Sequence, residues 1–289
     1  MVRENSMSKK VIFSDGTALP AIGQGSWYMG ENASQRKQEV AALQAGLELG
    51  LTLIDTAEMY ADGGAEKVVG EAIKGRRESA WLVSKVYPWN AGVEAAAEAC
   101  ERSLRRLKTD YLDLYLLHWR GNVPLEETLS ALESLQRAGK IVRWGVSNFD
   151  SEDLNELLAE KGGAACATNQ VLYHLASRGI EYDLLPECQQ RKIPVMAYCP
   201  LAQAGRLRRD LMAHPLLNGI AQQKGISVPQ LLLAWAIRKE GVIAIPKASS
   251  AAHVAENAAA LEVMLTSEEL SAINQAFPAP TEKMPLDIV

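Results

Sequence analysis

The sequence contains little cysteine, histidine or phenylalanine, and it has no long apolar run. Its four cysteines form no C-x-x-C pair, which is typical of reduced thiols in a cytoplasmic protein and not of a disulfide framework. The four histidines show no metal-ligand spacing, so we expect no metal site. The apolar runs, such as residues 231–237, fall well short of the roughly 18 residues that cross a bilayer. These absences disfavour a disulfide-rich secreted protein, a metalloenzyme and a membrane protein.

A strong excess of charge of one sign is also missing. With 30 basic and 35 acidic residues the net charge is −5, so nucleic acid is not an expected partner. The 289 residues, 48% hydrophobic and 22% charged, suit an ordinary globular protein. Residues 1–9 lack the apolar core of a signal peptide, and we expect them to form a flexible extension. We therefore expect a single cytoplasmic domain over residues 1–289.

Strand-like and helix-like segments alternate along the whole chain. A hairpin is predicted over residues 10–19, with a turn at Asp15-Gly16. The predicted strands that follow are 21–25, 52–55, 81–85, 112–118, 142–147, 167–170, 194–198 and 242–245. The predicted helices are 35–49, 91–107, 125–138, 153–160, 182–191, 216–224, 229–239 and 252–261, with a terminal helix that begins after Thr266.

Eight strand–helix units in a chain of this length predict an α/β fold, a (β/α)8 TIM barrel with an N-terminal β-hairpin and an extra C-terminal helix. A doubly wound dinucleotide-binding sheet would carry G-x-G-x-x-G between a strand and a helix. The segment at residues 23–28 lacks the third glycine and leads to no immediate helix. The barrel is therefore the favoured fold.

Polar residues stand where the predicted strands end. In a TIM barrel the catalytic groups lie at the carboxyl ends of the strands. Those positions are Gly25, Asp55, Lys85, His118, Asn148, Gln170, Tyr198 and Lys247. Asp55 follows a buried strand, where an unpaired carboxylate is costly, and Lys85 on the next strand would supply its cation. Each residue also has a purely structural interpretation: a helix cap for Asp55, a solvent-directed Lys85, a core histidine and a packing tyrosine.

These strand-end residues suit the reduction of a carbonyl group. Hydride arriving at carbon leaves negative charge on oxygen, and Tyr60 is a candidate proton donor to that oxygen. We expect the Lys85 ammonium to lower the pKa of the phenol and Asp55 to hold that ammonium in place. A neutral His118 would donate a hydrogen bond to the carbonyl oxygen. Because no covalent nucleophile is present, the hydride must come from a bound cofactor.

Seven short motifs occur in one order along nearly the whole chain. They are Asp55-x4-Tyr60, Val83-Ser84-Lys85, Leu116-Leu117-His118, Gly145-Val146-Ser147-Asn148, Asn169-Gln170, Ala197-Tyr198-Cys199-Pro200-Leu201 and Ile245-Pro246-Lys247. In these motifs the chain resembles the aldo-keto reductase superfamily. Within it, residues 27–30 and the short loops are most similar to bacterial methylglyoxal-type (2-oxoaldehyde) reductases.

The resemblance implies a barrel that binds NADPH without a Rossmann fold, and a catalytic tetrad of Asp55, Tyr60, Lys85 and His118. It implies that Ser147, Asn148 and Gln170 bind the carboxamide of a nicotinamide ring that stacks on Tyr198. The remaining cofactor-binding residues that it implies are Gly25, Ser26, Trp27, Asp55, Pro200, Leu201, Gln203, Ala204, Gly205, Arg206, Ile245, Lys247, Ala248, His253, Glu256 and Asn257. Of these, Leu201 and the segment 203–206 would lie along the pyrophosphate. Lys247 and the N-terminus of the helix that holds His253, Glu256 and Asn257 would bind the adenosine 2′-phosphate.

Two residues depart from the pattern of the superfamily near the expected 2′-phosphate. Ala248 stands where a serine or threonine is usual, and His253 stands where many members have arginine. Histidine cannot bind phosphate bidentately and is mostly neutral at pH 7. The expected preference for NADPH therefore depends mainly on Lys247, and NADH remains an alternative cofactor.

Aromatic residues follow several strand ends and are expected to surround the mouth of the pocket. Together with the tetrad members they make the candidate substrate set of Trp27, Tyr60, Trp89, His118, Trp119 and Phe149. Simple packing at the rim is the alternative interpretation of each aromatic residue. The short segments at 119–124 and after Phe277 favour a shallow pocket for small aldehydes and 2-oxoaldehydes such as methylglyoxal. We expect a monomer that has only a small carbonyl compound as its partner.

Two other functions remain open on the sequence. The first is a cofactor-binding regulatory or weakly catalytic relative of the same superfamily, similar to the β subunits of potassium channels. The second is an unrelated TIM-barrel lyase or isomerase that uses Lys85 as a Schiff-base amine. Cys199, beside Tyr198, is either a redox-sensitive thiol or a buried and inert one.

Overall fold

The barrel is preceded by a small hairpin that the sequence predicts. The computed structural model describes residues 9–289, in which β1 (Lys10–Ile12) pairs with β2 (Ala18–Pro20) in antiparallel fashion. Gly16 lies in the turn with φ +88°, a conformation that costs glycine little. Most of the expected extension over residues 1–9 lies outside the described residues. Lys9 directly precedes the hairpin; its carbonyl accepts from the Ala21 amide and its ammonium group donates to the Ile237 carbonyl. The flexible extension stays a prediction.

Eight parallel strands form the centre of the molecule. They are β3 (Gln24–Gly25), β4 (Leu53–Asp55), β5 (Trp81–Val86), β6 (Leu112–Leu117), β7 (Ile141–Ser147), β8 (Asn169–Leu172), β9 (Val195–Tyr198) and β10 (Val242–Ala244). Each strand pairs with the next one along the chain, and bridges between Ile22 and Ala244 and between Gly25 and Lys247 join the two ends of the sheet. The sheet is therefore closed, and the predicted (β/α)8 barrel is confirmed.

A side chain at Gly25 would prevent this closure. A Cβ added there would lie 2.7 Å from the carbonyl oxygen of Ile245, closer than real Cβ atoms approach such an atom. The backbone amide of Gly25 instead donates to the Pro246 carbonyl at 2.9 Å. Gly25 therefore brings the first and last barrel strands together at the end where the candidate site residues lie.

Helices surround the barrel. They are α1 (Arg36–Glu48), α2 (Gly64–Ala72), α3 (Val93–Leu107), α4 (Leu125–Arg137), α5 (Ser151–Ala159), α6 (Leu184–Gln190), α7 (Arg206–Ala213), α8 (Pro215–Lys224), α9 (Val228–Ala236), α10 (Ala251–Ala259) and α11 (Ser267–Ala276). Capping boxes begin α5, α9 and α11, with Asp150, Ser227 and Thr266 as the capping residues. The extra C-terminal helix predicted after Thr266 is therefore present.

Two helices were not located by the sequence pattern. Helix α2 contains Gly70, which is unfavourable in a helix interior. It is needed here because a Cβ would lie 2.7 Å from the Arg106 carbonyl oxygen of the neighbouring α3. Helix α7 has only eight residues and is highly charged, with Arg206, Arg208, Arg209 and Asp210. Strand β8 is displaced from the predicted 167–170 because its pairing with β7 and β9 begins at Asn169.

Within residues 9–289, no helix is both long and apolar enough to cross a membrane. The same residues contain no cluster of three or more histidine, cysteine, aspartate or glutamate side chains able to hold a metal ion. The core between strands and helices is aliphatic, with the large fully buried aromatic side chains Trp144, Trp235, Tyr115, Tyr173 and Phe149. Site geometry is thus built on rigid, well-packed elements.

Candidate active site

A cavity of about 710 Å³ opens at the carboxyl ends of the barrel strands. Its volume is in the range of small-molecule and cofactor sites. It is lined by Gly25, Ser26, Trp27, Tyr28, Asp55, Met59, Tyr60, His118, Ser147, Asn148, Gln170, Tyr198, Cys199, Pro200, Leu201, Gln203, Ala204, Arg208, Ile245, Pro246, Lys247 and Val289. Most of the strand-end residues singled out in the sequence therefore face one cavity.

The Lys85 ammonium is fully buried and does not itself line the cavity, but it is bonded to the lining residues Asp55 and Tyr60. Its Nζ donates to Asp55 Oδ2 at 2.7 Å, to the Thr56 carbonyl at 2.8 Å and to the Tyr60 hydroxyl at 3.0 Å. An ammonium group has three hydrogens, so these contacts use all of them. The hydroxyl oxygen of Tyr60 accepts a hydrogen bond from Lys85. The hydroxyl proton of Tyr60 is therefore free to point into the cavity, which Tyr60 lines.

Burial changes the acidity of this pair in a way that corrects the expectation from the sequence. Loss of solvent, together with the Asp55 carboxylate, raises the pKa of the Tyr60 phenol well above its ordinary value. Burial also lowers the pKa of Lys85, which Asp55 opposes. The pKa of the phenol is therefore raised and not lowered in the protein alone, and loss of solvent is the largest cause. At neutral pH Tyr60 carries its proton.

His118 is a neutral imidazole next to this pair. Burial and the charge of Lys85 lower its pKa to about 2. Its ring lies 5.9 Å from the ring of Tyr60, and its Nδ1 is buried with no hydrogen-bond partner among residues 9–289. The neutral state expected for this histidine agrees with these surroundings. A neutral imidazole next to a phenol can donate one hydrogen bond to an oxygen held between them.

The second oxygen of Asp55 is held by Gln170. The amide Nε2 of Gln170 donates to Asp55 Oδ1 at 2.8 Å, so the two carboxylate oxygens accept from different strands. The hydroxyl of Ser26 donates to the Asp55 carbonyl at 2.7 Å. Gln170, which the resemblance assigns to cofactor binding, thus also positions Asp55, and this second contact was not anticipated from the sequence.

Asn148 joins two walls of the cavity. Its Nδ2 donates to the His118 carbonyl at 3.1 Å, and its Oδ1 accepts from the Tyr198 hydroxyl at 2.7 Å. The backbone of Asn148 is left-handed, with φ +58°, and turns its side chain back over the strand ends. Ser147 donates to the Gln170 carbonyl at 2.8 Å. Amide groups and a tyrosine ring therefore meet on one wall, as a nicotinamide carboxamide and ring would need.

The other end of the cavity has cationic side chains and fewer internal contacts. Lys247 lines it and is exposed. Gly205, Arg206, Ala248, His253, Glu256 and Asn257 are not among the lining residues. His253 lies in the first turn of α10, where its backbone amide donates to Ser250, and Glu256 accepts from Ser227. The roles assigned to these six residues remain predictions.

The predicted arginine of the pyrophosphate segment is turned away from the cavity. The Arg206 side chain is 89% exposed and lies 3.5 Å from Asp210. Arg208, two residues further along α7, lines the cavity instead and donates twice to the Ala202 carbonyl, at 3.0 and 2.6 Å. Which of the two arginines faces the cavity depends on the residue at which α7 begins. Because the sequence pattern does not predict α7, it could not predict that Arg208 is the inward one.

A chain of aromatic rings borders the mouth. The ring of Trp27 stacks on that of Tyr28, and its centroid lies 6.1 Å from the centroid of the Tyr60 ring. The ring centroid of Trp119 lies 4.9 Å from that of His118 and 5.6 Å from that of Trp89. Neither Trp119 nor Trp89, which is 63% exposed, lines the cavity itself, so their substrate roles remain predictions. Phe149 is fully buried in the hydrophobic core. The expectation that it borders the mouth is wrong, because its strand-end turn directs the ring inward.

Some lining residues were missed in the sequence, namely Tyr28, Met59, Arg208 and Val289. Val289 reaches the site because the C-terminal segment before it is held by contacts of Lys283 and Asp287. Lys283 pairs with Asp150 and Asp183, and Ser177 donates to Asp287 at 2.9 Å. Such contacts between distant segments leave no local pattern. The backbone of Val289 lies close enough to the Tyr198 hydroxyl to oppose the rise in its pKa that burial causes.

The four cysteines are free thiols. Cys199 lines the cavity, and burial raises its pKa to about 11, which favours the less reactive protonated form. Burial raises the pKa of Cys100, Cys166 and Cys188 to about 12. Of the two interpretations of Cys199, these surroundings favour the inert thiol.

Comparison with known proteins gives consistent matches over nearly the whole chain. Residues 21–277 match the model of the aldo/keto reductase family. The chain is 66% identical to methylglyoxal reductase YeaE of Escherichia coli, over 98% of this chain and 100% of the relative, and 34% identical to glyoxal reductase of Bacillus subtilis, over 93% of each. A crystal structure of an aldo/keto reductase from Klebsiella pneumoniae with NADP and acetate is similar, with a TM-score of 0.96, 63% identity and coverage of 98% of this chain and 100% of that one. A crystal structure of an aldo-keto reductase from Klebsiella pneumoniae with NADPH is similar to the same degree, with a TM-score of 0.96 and 63% identity.

Proposed function

Because the chain belongs to the aldo/keto reductase family, we propose that it reduces small aldehydes and 2-oxoaldehydes with NADPH, and that Tyr60 donates the proton. The observation that carries this proposal is the set of three hydrogen bonds from Lys85. They hold the Tyr60 oxygen as an acceptor and leave its proton for a substrate oxygen in the cavity. Asp55, Lys85 and His118 complete the proposed catalytic tetrad.

The cavity fits a nicotinamide dinucleotide by the chemistry of its lining. Amide groups of Asn148 and Gln170 and the ring of Tyr198 lie on one wall, near Tyr60, whereas cations lie at the other end. The proposed cofactor residues are those assigned by the resemblance that line the cavity, with Arg208 added. When bound, NADPH supplies a hydride to the carbonyl carbon.

The residues of the chain act on the carbonyl oxygen. His118, neutral and buried, donates a hydrogen bond that orients this oxygen toward Tyr60. Negative charge that grows on the oxygen makes it an alkoxide, which is a stronger base than a phenolate. Tyr60 therefore transfers its proton even though burial raises the pKa of its phenol. Lys85 stabilises the phenolate left behind, and Asp55 keeps the ammonium charged.

Small dicarbonyls are the proposed substrate class. The relatives named for the reduction of methylglyoxal and glyoxal support it, the first of them at 66% identity. The ring of Trp27 lines the cavity next to Tyr60, and the ring of Trp119 packs against His118 from outside the lining; an aromatic wall of this kind suits compact carbonyl compounds with an apolar part. We propose methylglyoxal as a representative substrate.

A panel of carbonyl compounds tests the proposed function. NADPH consumption is followed with methylglyoxal, glyoxal, an aromatic aldehyde and a ketosteroid, and each product is identified by mass. The proposal expects one alcohol formed per NADPH, with the highest kcat/KM for the small aldehydes. Equal turnover of the ketosteroid would contradict the substrate class, and no turnover of any carbonyl would contradict the function.

The Schiff-base alternative conflicts with the surroundings of Lys85. An amine must lose its proton to attack a carbonyl, and this ammonium is held by Asp55 and two further acceptors. Borohydride added with methylglyoxal, in the absence of NADPH, is expected to leave Lys85 unlabelled. For the regulatory alternative, the complete tetrad is the opposing observation, because a module that only binds cofactor has no need of the proton donor.

The quaternary state and the location of the protein belong to this proposal as well. We propose a monomer acting in the cytoplasm, where free thiols such as those of this chain stay reduced. A molecular mass of about one chain by light scattering checks the first point, and cell fractionation checks the second. The proposed single domain is checked by one cooperative unfolding transition.

A further inference from the structure

Tyr60 is joined to helix α2 by a strained segment. Ala61, Asp62 and Gly63 have φ of +51°, +50° and +86°, so three consecutive residues are left-handed and two of them carry a side chain. This conformation is unfavourable for residues with a Cβ and persists only where the flanking structure is firmly held. The position of Tyr60 thus depends on what holds the start of α2.

Glu66, in the first turn of α2, makes that attachment. Its side chain is fully buried, with Oε2 accepting from the Ser84 hydroxyl at 2.8 Å and Oε1 accepting from Arg106 Nε at 2.7 Å. Ser84 directly precedes Lys85 on β5. One carboxylate therefore connects the helix after Tyr60 to the strand that carries Lys85.

Arg106 supports the same segment from α3. A Cβ added to Gly63 would lie 2.6 Å from Arg106 Cδ, so the guanidinium arm packs directly against the strained turn. The ion pair of Arg106 with Glu66 has a nitrogen–oxygen distance of 2.7 Å, and the Glu66 side chain in it has no exposed surface. Such a pair costs free energy when one partner is removed, because the other charge stays buried.

Glu66 also acts on the charge of Lys85. The buried ammonium has two carboxylates that raise its pKa, Asp55 and Glu66, against the effect of desolvation. The other titratable or charged groups that face Lys85 or Glu66 from neighbouring elements are Tyr60, His118, Arg106, Glu58, Cys100 and Tyr115. Within residues 9–289, Glu66 is the only one of these groups that lies on the helix after Tyr60 and also accepts a hydrogen bond from the residue before Lys85.

We propose that Glu66 is a positioning residue for the proton-donating pair: its carboxylate fixes the Tyr60 hydroxyl against the Lys85 ammonium through the 61–65 segment and Ser84. The proposal rests on the proposed function, in which Tyr60 donates the proton. Glu66 does not line the cavity, so it touches neither cofactor nor substrate. Its effect is therefore expected in the chemical step and not in binding.

The test compares Glu66→Gln with Glu71→Gln by stopped-flow single turnovers of NADPH with methylglyoxal. Glu71 lies on the same helix but pairs with Arg36 at the surface, which makes it a matched control. Glu66→Gln is expected to slow the turnover about tenfold to a hundredfold, as a displaced catalytic group does. The affinity for NADPH and the rate with Glu71→Gln are expected to match the wild type.

The pH profile separates positioning from simple stabilisation of the fold. Removing the Glu66 charge makes Lys85 lose its proton more easily, so the alkaline fall of the turnover rate moves to lower pH in Glu66→Gln. Glu66→Asp keeps the charge and is expected to keep the alkaline limb of the wild type. A lower melting temperature with an unchanged rate and pH profile would overturn the proposal.

Two further variants keep the outcome interpretable. Ser84→Ala removes one hydrogen bond without changing a charge, and if Glu66→Gln does not fold, a wild-type rate in Ser84→Ala overturns the proposal. The expected result for Ser84→Ala is a turnover slowed about fivefold or more with an unchanged alkaline limb. Full activity of Tyr60→Phe would instead contradict the proposed function itself, and this outcome is distinct from a failure of the Glu66 inference alone.

Discussion

The two ends of the cavity are built differently. At the barrel floor, Asp55, Lys85 and Tyr60 are buried and bonded to one another at 2.7–3.0 Å. At the other end Lys247 is exposed, and His253 lies outside the cavity lining. The first arrangement is held by the protein whether or not a ligand binds, whereas the second depends on the charge of the ligand. Variants of the floor should therefore change the chemical rate, and variants of the other end should change cofactor affinity.

Lys85→Met should give the largest effect. It leaves Asp55 buried without its cation and removes the group that stabilises the phenolate, so we expect kcat to fall by at least about a thousandfold. Loss of one partner of a buried pair should also reduce the free energy of unfolding by about 3–5 kcal/mol. Denaturant titration and steady-state kinetics measure both.

A double variant sharpens this prediction. Asp55→Asn with Lys85→Met removes both charges, so part of the lost stability should return while activity stays absent. If the double variant were less stable than Lys85→Met alone, the uncompensated carboxylate would not be the cause.

The neutral His118 gives a pH dependence of stability. Its pKa falls from 6.5 to about 2 on folding, so the unfolded chain takes up a proton below pH 6.5 that the folded protein does not. The free energy of unfolding should therefore fall with decreasing pH, by up to about 1.4 kcal/mol per pH unit from this one group. Denaturant titrations of wild type and His118→Gln between pH 7 and about 4.5 measure it.

The variant supplies the contrast. The unfolded chain of His118→Gln cannot take up this proton. As the pH falls, the free energy of unfolding of the variant should therefore decrease less than that of the wild type. A constant difference over that range would mean that His118 is not held neutral by the fold.

Lys247→Ala should affect the other end of the cavity only. Loss of one charge-assisted contact to phosphate should weaken NADPH binding by about tenfold to a hundredfold. NADH lacks the 2′-phosphate, so its affinity should stay within about threefold, and kcat at saturating NADPH should not change. Fluorescence titration with each cofactor checks this prediction, and an equal loss of affinity for both would contradict it.

The two arginines of α7 should give the smallest effects. Arg208→Ala should weaken NADPH binding about fivefold, since its guanidinium faces the cavity. Arg206→Ala is the matched control, because this side chain is 89% exposed and an exposed ion pair contributes little. Its affinity should stay within about twofold of the wild type. A larger loss of NADPH affinity in Arg206→Ala than in Arg208→Ala would show that Arg206, and not Arg208, faces the cofactor.

The difference between the two ends also explains what the sequence could predict. Strands buried on both faces show as continuous apolar runs, and their ends mark the floor of a barrel. Asp55, Lys85, His118 and Tyr198 could be located for that reason. The pairing of Asp55 with Lys85 was predicted because a buried carboxylate needs a cation, and the structure has this pair.

Features that depend on contacts between distant segments were beyond sequence reasoning. Burial of Tyr60 by several elements raises the pKa that a local argument expected to fall. The inward turn of Phe149 and the choice of Arg208 over Arg206 depend on backbone directions at a strand end and a helix start. The approach of Val289 depends on Lys283 pairing with carboxylates far back in the chain.

The most direct test of the central claim is the rate of hydride transfer in Tyr60→Phe. Enzyme with bound NADPH is mixed with methylglyoxal in a stopped-flow instrument, and NADPH affinity is measured on the same samples. Removing the hydroxyl leaves the ring in place, so the affinity should stay within about twofold, while the transfer should slow by about a hundredfold to ten-thousandfold, the usual contribution of a general acid. A Tyr60→Phe variant that oxidises NADPH at the wild-type rate would contradict the account.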